Sequence, residues 1–152
     1  MNAKTRQHTA RTEDAQQRRQ SDLCAEPMME HLLNALKAGQ DIGHYGRLTF
    51  VMVARFFMDD DQIVSLLAKQ PDFDEEKARA LLMQVKAHNY NPPQRERILE
   101  WQTRQDFPIL PNPEDPDCGQ VYRNLQFPEE VYGEIEEYYE EKAEAEGVST
   151  AH

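Results

Sequence analysis

Apolar side chains along this chain recur at intervals of three and four residues, the spacing that places them on one face of an α-helix. Segments with this spacing lie at residues 28–36, 63–67, 78–85 and 98–101, and a last one runs from about Glu129 to Tyr139. Residues 47–58 leave no polar face, which is typical of a helix buried on all sides. We find no strong strand signal and no internal repeat. The pattern therefore predicts an all-α fold with residues 47–58 at its centre.

Helix boundaries are marked by capping and helix-breaking residues. Gly39 is placed to end the first helix, and Asp59 and Asp74 are placed as N-caps, since a short polar side chain there can accept a backbone N–H. Pro92 precedes a further helix, and the four prolines of residues 105–117 predict a loop. These signals divide the apolar pattern into short helices within one domain.

The two ends of the chain differ from this central part. Residues 1–21 are polar and almost free of large apolar side chains, so we expect a disordered tail there, with a weak phosphate-contacting arm as the alternative. Residues 147–152 are expected to be a disordered end. The chain length suits one domain, which we assign to residues 22–146.

The negative charge is concentrated in one segment. The formal net charge is −11, and residues 129–146 hold nine Glu against one Lys, which is −8 and leaves −3 for the rest. This balance argues against tight, autonomous, non-specific DNA binding, although a local basic site beside a basic partner stays possible. The Glu-rich segment is either a solvated helix face or a docking strip for a basic partner.

No apolar stretch is long enough to span a bilayer, and residues 1–21 lack the apolar run of a signal peptide. We therefore expect a cytoplasmic protein with no membrane contact. The two cysteines, Cys24 and Cys118, are expected to be free thiols in that compartment.

One candidate site is the turn from His44 to Arg47. Two polar side chains three residues apart at a helix N-terminus share a face, and free backbone N–H groups point the same way, which suits a phosphate. The alternative is an ordinary helix start with a surface arginine, because a lone His-x-x-Arg is weak evidence.

A second candidate surface lies in residues 90–104. Tyr90 and Trp101 alternate there with Arg95, Arg97 and Arg104, and cations beside aromatic rings commonly hold a single nucleic-acid strand. We expect Trp101 to pack in the core and leave the role of the arginines open.

We find no motif for catalysis. The serines lack a glycine-rich elbow, neither cysteine has a histidine near it in sequence, and the acids form no phosphate-binding or metal-carboxylate motif. No catalysis is expected from this chain alone.

Several short motifs occur in a characteristic order. They are Leu23-Cys24, His44-Tyr45-Gly46-Arg47, Pro71-Asp72-Phe73, Tyr90-Asn91-Pro92-Pro93 and Cys118. Over residues 22–140 this order resembles the C-terminal domain of the large subunit of archaeal and eukaryotic DNA primase. The resemblance implies a helical domain that helps a separate catalytic primase, or primase-polymerase, to begin a primer. In that role His44 and Arg47 would hold the 5′-triphosphate of the initiating nucleotide, and template or primer would be bound weakly.

The chain departs from the primase pattern at both functional places. Asp41 and Gly43 stand where the family often has a histidine and an arginine, so the implied phosphate site is half populated. Of four cysteines that hold a [4Fe–4S] cluster in the family, Cys24 matches the first and Cys118 the fourth, whereas Arg95 occupies the second position. We expect no cofactor, because such a cluster normally needs all four thiolates.

Other fates of the two cysteines remain open alternatives. One is a zinc site that adds His31 or His88, and another is a disulfide between them. We favour two semi-buried thiols, with Arg95 supplying an ion pair or hydrogen bond where the family holds iron.

The resulting hypothesis is a non-catalytic accessory of primer synthesis in DNA replication, with His44, Arg47, Arg95 and Arg97 as nucleotide or phosphate contacts. The alternative is a protein-interaction module that kept the fold and lost nucleotide binding. The first requires an exposed positive patch around His44 and Arg47, and the second requires these side chains to be buried or neutralised. A third interpretation, an acidic mimic of DNA, is disfavoured because the charge lies on one helix.

Overall fold

The structure is a computed structural model, and it describes residues 19–135. Six helices have defined bounds, and two further helical segments, residues 19–23 and 129–135, lie at the limits of the described part. The six are α1 Pro27–Lys37, α2 Gly43–Ala54, α3 Asp60–Leu67, α4 Glu75–His88, α5 Arg95–Gln102 and α6 Val121–Asn124. Residues 19–135 contain no strand, which confirms the all-α prediction at this level.

Helix α2 is the central element of the core, as its uniformly apolar sequence predicted. Phe50, Val51 and Val53 are fully buried, and α2 packs against α1, α3, α4 and α5. The helix begins at Gly43 and ends at Ala54, four residues earlier at each end than the apolar pattern indicated. The first turn of α2 therefore contains His44, and this places the predicted site at the edge of the core.

The predicted caps are present. Asp74 Oδ1 accepts the Lys77 N–H at 2.8 Å, and the backbone N–H of Asp59 donates to the side chain of Gln62 at 3.1 Å. Gly39 follows the end of α1 with φ of +73°, a conformation that glycine adopts without steric cost. Local sequence thus determines where these helices begin and end.

The boundary of the N-terminal tail differs from the prediction. Residues 19–21, which the polar sequence assigns to a disordered tail, are helical, because the same helical segment ends on the fully buried Leu23. The rest of that tail, residues 1–18, lies outside the described residues. So do residues 136–152, which include Tyr138, Tyr139 and the predicted disordered end. No helix between residues 19 and 135 has both the length and the apolarity to cross a bilayer.

A buried carboxylate joins distant parts of the fold. Glu26 is fully buried and accepts N–H groups from the backbone of Met28 at 2.7 Å and of Gly119 at 3.0 Å, and from the Asn124 side chain at 2.8 Å. Donors on three sides offset the cost of removing a carboxylate from water. Glu26 therefore caps α1 and fixes the segment before α6 at the same time.

The last described helical segment, residues 129–135, lies against an aromatic cluster. Val131 is buried, and the rings of Tyr122 and Tyr132 each lie within 6.3 Å of the ring of Phe127. This segment is held further by Asn89, whose side chain donates to Glu134 at 3.4 Å. It consequently forms a wall beside the C-terminal end of α4.

Candidate functional site

A groove of about 900 Å³ opens between α2, the end of α4, α5 and residues 129–135. Its floor and walls are largely apolar and aromatic, with a few polar side chains around them. The lining side chains include His44, Leu48, Tyr90, Arg97, Trp101 and Glu134. A concave, mostly apolar surface with few polar groups is the usual form of a ligand site. The groove thus brings together parts of the two sequence-predicted surfaces, His44 from the start of α2 and Tyr90, Arg97 and Trp101 from residues 90–104.

Trp101 provides a flat aromatic surface in the groove. One side of its indole stacks on the ring of Tyr45, with centroids 5.6 Å apart and planes at 23°. Trp101 therefore packs partly against the core, as predicted, and it also lines the groove. The guanidinium carbon of Arg97 lies 6.0 Å from the indole centroid, so cation and ring are adjacent.

Tyr90 and His44 border the same groove. Tyr90 is 39% exposed, and its ring stacks on that of His88 with centroids 5.1 Å apart. His44 is exposed and meets the ring of Tyr45 edge-on at 5.2 Å. Aromatic rings with exposed faces and nearby hydrogen-bonding side chains can accept a planar ligand.

Arg47 does not share the groove with His44. Its side chain is only 16% exposed, and Nη1 lies 3.3 Å from Asp41 Oδ1 and 3.4 Å from Gln70 Oε1. The guanidinium carbon stands 4.8 Å from the ring centroid of Phe73. The two predicted phosphate contacts therefore lie in different surroundings, because Arg47 packs toward the start of α4 while His44 turns to α5.

The backbone amides at the start of α2 are also used within the protein. The sequence predicts free N–H groups there, but Gly43 donates to Asp41 Oδ1 at 2.9 Å and Tyr45 donates to Gln105 Oε1 at 2.9 Å. The Ile42 amide donates to the buried Gln70 at 3.0 Å. A phosphate at this helix start would have to displace these side chains. The prediction of free N–H groups is therefore not met at Gly43 and Tyr45.

Arg95 holds a loop and does not point freely to solvent. Its Nε donates to the carbonyl oxygen of Cys118 at 2.9 Å, and Nη2 donates to those of Pro113 at 2.5 Å and Asp115 at 3.4 Å. The hydrogen bond predicted for Arg95 is therefore present, and its acceptor is the backbone of Cys118. Arg95 also lines a smaller cavity of about 360 Å³ beside the groove.

The remaining arginine of the second surface lies at the end of α5. Arg104 Nη2 forms an ion pair with Glu100 at 2.9 Å. A hydrogen bond with the Tyr45 side chain, followed by the charge of Glu100, raises the pKa of Arg104. Arg104 is therefore paired with a residue of α5 and does not line the groove.

The two cysteines are free thiols, half-buried at Cys24 and buried at Cys118. Burial is the main cause that raises the pKa of both thiols. The zinc alternative finds no support in the described part, where no three potential metal ligands cluster. His31 Nε2 donates to the Pro108 carbonyl oxygen at 2.9 Å, and His88 stacks on Tyr90.

The donor set does not fit the four-thiolate cluster of the primase family. The sequence has two cysteines, and Arg95, which the resemblance would align with the second ligand, donates to the carbonyl oxygen of Cys118. Two thiolates are too few to hold such a cluster.

Sequence reasoning missed four residues whose contacts hold the site or the fold around it. They are Glu26, Tyr45, Gln70 and Gln105. Tyr45 could have been noticed as the aromatic residue inside the predicted turn. The glutamines carried no local signal, since their partners lie 28 and 60 residues away.

Comparisons with protein-family models, with curated proteins and with solved structures found no match to this chain.

Proposed function

We propose that this chain is a non-catalytic accessory module of primer synthesis, which holds an unpaired nucleic-acid end in the groove for a separate catalytic primase or primase-polymerase. The finer fold assignment, a relative of the C-terminal domain of the large primase subunit, belongs to the same proposal. One observation carries it. Two of the four predicted cationic or hydrogen-bonding contacts, His44 and Arg97, line one groove with both predicted aromatic side chains, Tyr90 and Trp101.

The chemistry of these side chains suits one or two nucleotides. An exposed ring can stack on a base whatever its sequence, and Arg97 beside Trp101 can neutralise an adjacent phosphate. Stacking contributes about 1–3 kcal/mol for each base. Such a site raises the rate of a partner's reaction by holding the strand end in place, which removes part of the entropy cost of bringing it to the reacting nucleotide.

Weak binding is expected from the rest of the surface. Arg47 is paired with Asp41, Arg95 is enclosed by carbonyl groups, and Glu96 and Glu134 line the groove. Few phosphates can therefore be neutralised, so the dependence on salt is shallow, with a slope of about −0.7 for each phosphate contact. Stable engagement consequently depends on the catalytic partner.

The test measures the binding of two ligands, a short single strand and a primer-template with a 5′-triphosphate. The signal is the fluorescence of Trp101, the one tryptophan of the sequence. We expect saturable quenching in the wild type and loss of about tenfold or more in affinity for Arg97→Ala with His44→Ala. Arg79→Ala is the matched control, because Arg79 is an exposed arginine that pairs with Asp61 and Glu75 away from the groove.

A 5′-hydroxyl primer distinguishes the two parts of the proposal. Preference for the triphosphate that disappears with His44 and Arg97 supports a primer-end role. Equal binding of both primers reduces the proposal to single-strand binding, and an unaltered affinity in the double variant contradicts it.

A protein-docking module is the second candidate. The pairing of the largely buried Arg47 with Asp41 and the two carboxylates on the groove favour it. Glu96 and Glu134 would attract a basic segment of a replication protein and repel phosphates. The variant Glu96→Gln/Glu134→Gln separates the two candidates. Higher affinity for the oligonucleotide in this variant than in the wild type supports nucleic-acid binding. If neither the wild type nor the variant binds the oligonucleotide, the protein-docking module is favoured.

A further inference from the structure

Gln105 connects the first turn of α2 to the loop after α5. Its Oε1 accepts the Tyr45 N–H at 2.9 Å, and its Nε2 donates to the carbonyl oxygens of Ile42 at 2.8 Å and Phe107 at 3.0 Å. The side chain is partly buried, so these bonds lie out of full contact with water. Three hydrogen bonds from one amide group fix its orientation.

This side chain replaces a missing helix cap. The N-cap of α2 is Ile42, whose apolar side chain cannot accept an N–H group. A polar N-cap usually accepts the amide of the third helical residue, which is Tyr45 here, and Gln105 accepts it instead. The cap of α2 is therefore supplied from 60 residues further along the chain.

The fit around Gln105 is close. A Cβ atom added to Gly43 would lie 2.5 Å from Gln105 Oε1, and Gly43 has φ of +77°. The first turn of α2 and the amide of Gln105 thus occupy adjoining space that admits no side chain between them. A side chain added at Gly43 would therefore displace the amide group of Gln105.

The groove depends on this contact through Tyr45. Gln105 fixes the backbone of Tyr45, and the Tyr45 ring stacks on the indole of Trp101 with centroids 5.6 Å apart. His44 precedes Tyr45 and touches its ring edge. The positions of the groove residues His44 and Trp101 therefore follow from the position of Tyr45.

Gln70 offers a matched comparison. It is buried and also bonds the start of α2, through the Ile42 N–H at 3.0 Å and the Gln40 carbonyl at 2.7 Å. Its third partner is Arg47. Like the partners of Gln105, these three residues do not line the groove, but none of them stacks on the Trp101 ring as Tyr45 does.

We propose that Gln105 is a positioning residue of the groove, which sets the orientation of Tyr45 and thereby of the aromatic surface of Trp101 that receives the ligand. Gln70 stabilises the same helix start without this effect. The inference rests on the proposed function for the identity of the ligand and on contacts within the protein for the positioning itself.

The experiment compares Gln105→Met with Gln70→Met, since methionine keeps the side-chain length and removes every hydrogen bond. Emission and acrylamide quenching of Trp101 are measured first, without ligand, at a temperature where both variants are folded by circular dichroism. We expect a red-shifted emission and greater quenching for Gln105→Met alone. A single-stranded oligonucleotide is then titrated, and about fivefold weaker binding is expected for Gln105→Met alone.

Equal Trp101 emission and quenching in the two variants would overturn the proposal. If the wild type binds no oligonucleotide, the proposed function fails, while the ligand-free fluorescence still decides whether Gln105 positions Trp101. Should Gln105→Met not fold, Gln105→Glu serves in its place, because its carboxylate still accepts the Tyr45 N–H but faces the carbonyl oxygens of Ile42 and Phe107 with no proton to donate. A red-shifted Trp101 emission is then expected for Gln105→Glu relative to Gln70→Met, and equal emission in these two variants would overturn the proposal.

Discussion

The first turns of α2 and α5 both border the groove, yet their backbone amides are used in opposite ways. At the start of α2, three backbone N–H groups within residues 42–45 donate to side chains, and the acceptors are Asp41, Gln70 and Gln105. At the start of α5, the side chain of the N-cap residue, Gln94, makes no capping hydrogen bond. In the turn that the sequence favoured as a phosphate site, these backbone N–H groups are thus already hydrogen-bonded within the protein.

The arginines near these two turns differ in the same manner. Arg47 is largely buried against Phe73 and paired with Asp41, whereas Arg97 is exposed on the groove. A cation that is already paired and desolvated has little to offer a ligand, since binding would first break its internal contacts. The comparison teaches that helix position and residue type do not identify a binding residue until its intramolecular partners are known.

The largest effect is expected from a side chain at the joint before α2. Gly43→Ala places a Cβ atom 2.5 Å from Gln105 Oε1 at a residue with φ of +77°, so we expect a loss of about 2–3 kcal/mol in the free energy of unfolding. Urea denaturation followed by circular dichroism measures it.

Gly133→Ala is the control for this substitution. Gly133 is helical, and a Cβ atom there would meet no other atom within 4 Å, so we expect a gain of up to about 1 kcal/mol. Equal stability changes in the two alanine variants would refute the view that Gln105 leaves no room for a side chain at Gly43.

An intermediate effect is expected from two arginines that stand two positions apart on α5. Arg95→Met removes donors from three loop carbonyls and should cost about 1–2 kcal/mol, with faster hydrogen exchange in residues 113–118. Arg97→Met should leave unfolding nearly unchanged and weaken oligonucleotide binding. Denaturation and oligonucleotide binding are measured on both variants. The expectation is wrong if each variant loses both stability and oligonucleotide affinity.

The smallest effect concerns the thiols. Burial raises the pKa of Cys24 and of Cys118, so the folded state disfavours both thiolates. The associated stability is fully present below the ordinary thiol value of 9.0 and is lost as the pH rises through the elevated folded values. The free energy of unfolding between pH 7 and about pH 10 should therefore fall more steeply in the wild type than in Cys24→Ala/Cys118→Ala. Denaturation at a series of pH values measures it, and parallel profiles would contradict the burial of the thiols.

Much of the fold could be predicted because its signals are local. The apolar spacing predicted α1 to α5, and Asp59, Asp74 and Gly39 marked boundaries within a few residues of sequence. Helix propensity and capping depend on neighbours three or four positions away, which a single sequence displays.

The site could be predicted only in part, because its decisive contacts are long-range. Sequence placed Trp101, Arg97 and His44 on candidate surfaces, and the groove brings them together. It could not show that Gln70 and Gln105 close the start of α2, since glutamine has no pattern that reveals a partner 28 or 60 residues away.

The buried carboxylate of Glu26 also has a consequence for the order of folding. Its bonds to Gly119 and Asn124 close loops of 93 and 98 residues, and closing such loops costs chain entropy that only assembled neighbours can offset. We therefore expect this contact to form last, after the helices between have docked. Once it has formed, the beginning and the end of the described chain are held by one group, so they should open together as a single cooperative unit, and their amide protons should report a common free energy of opening.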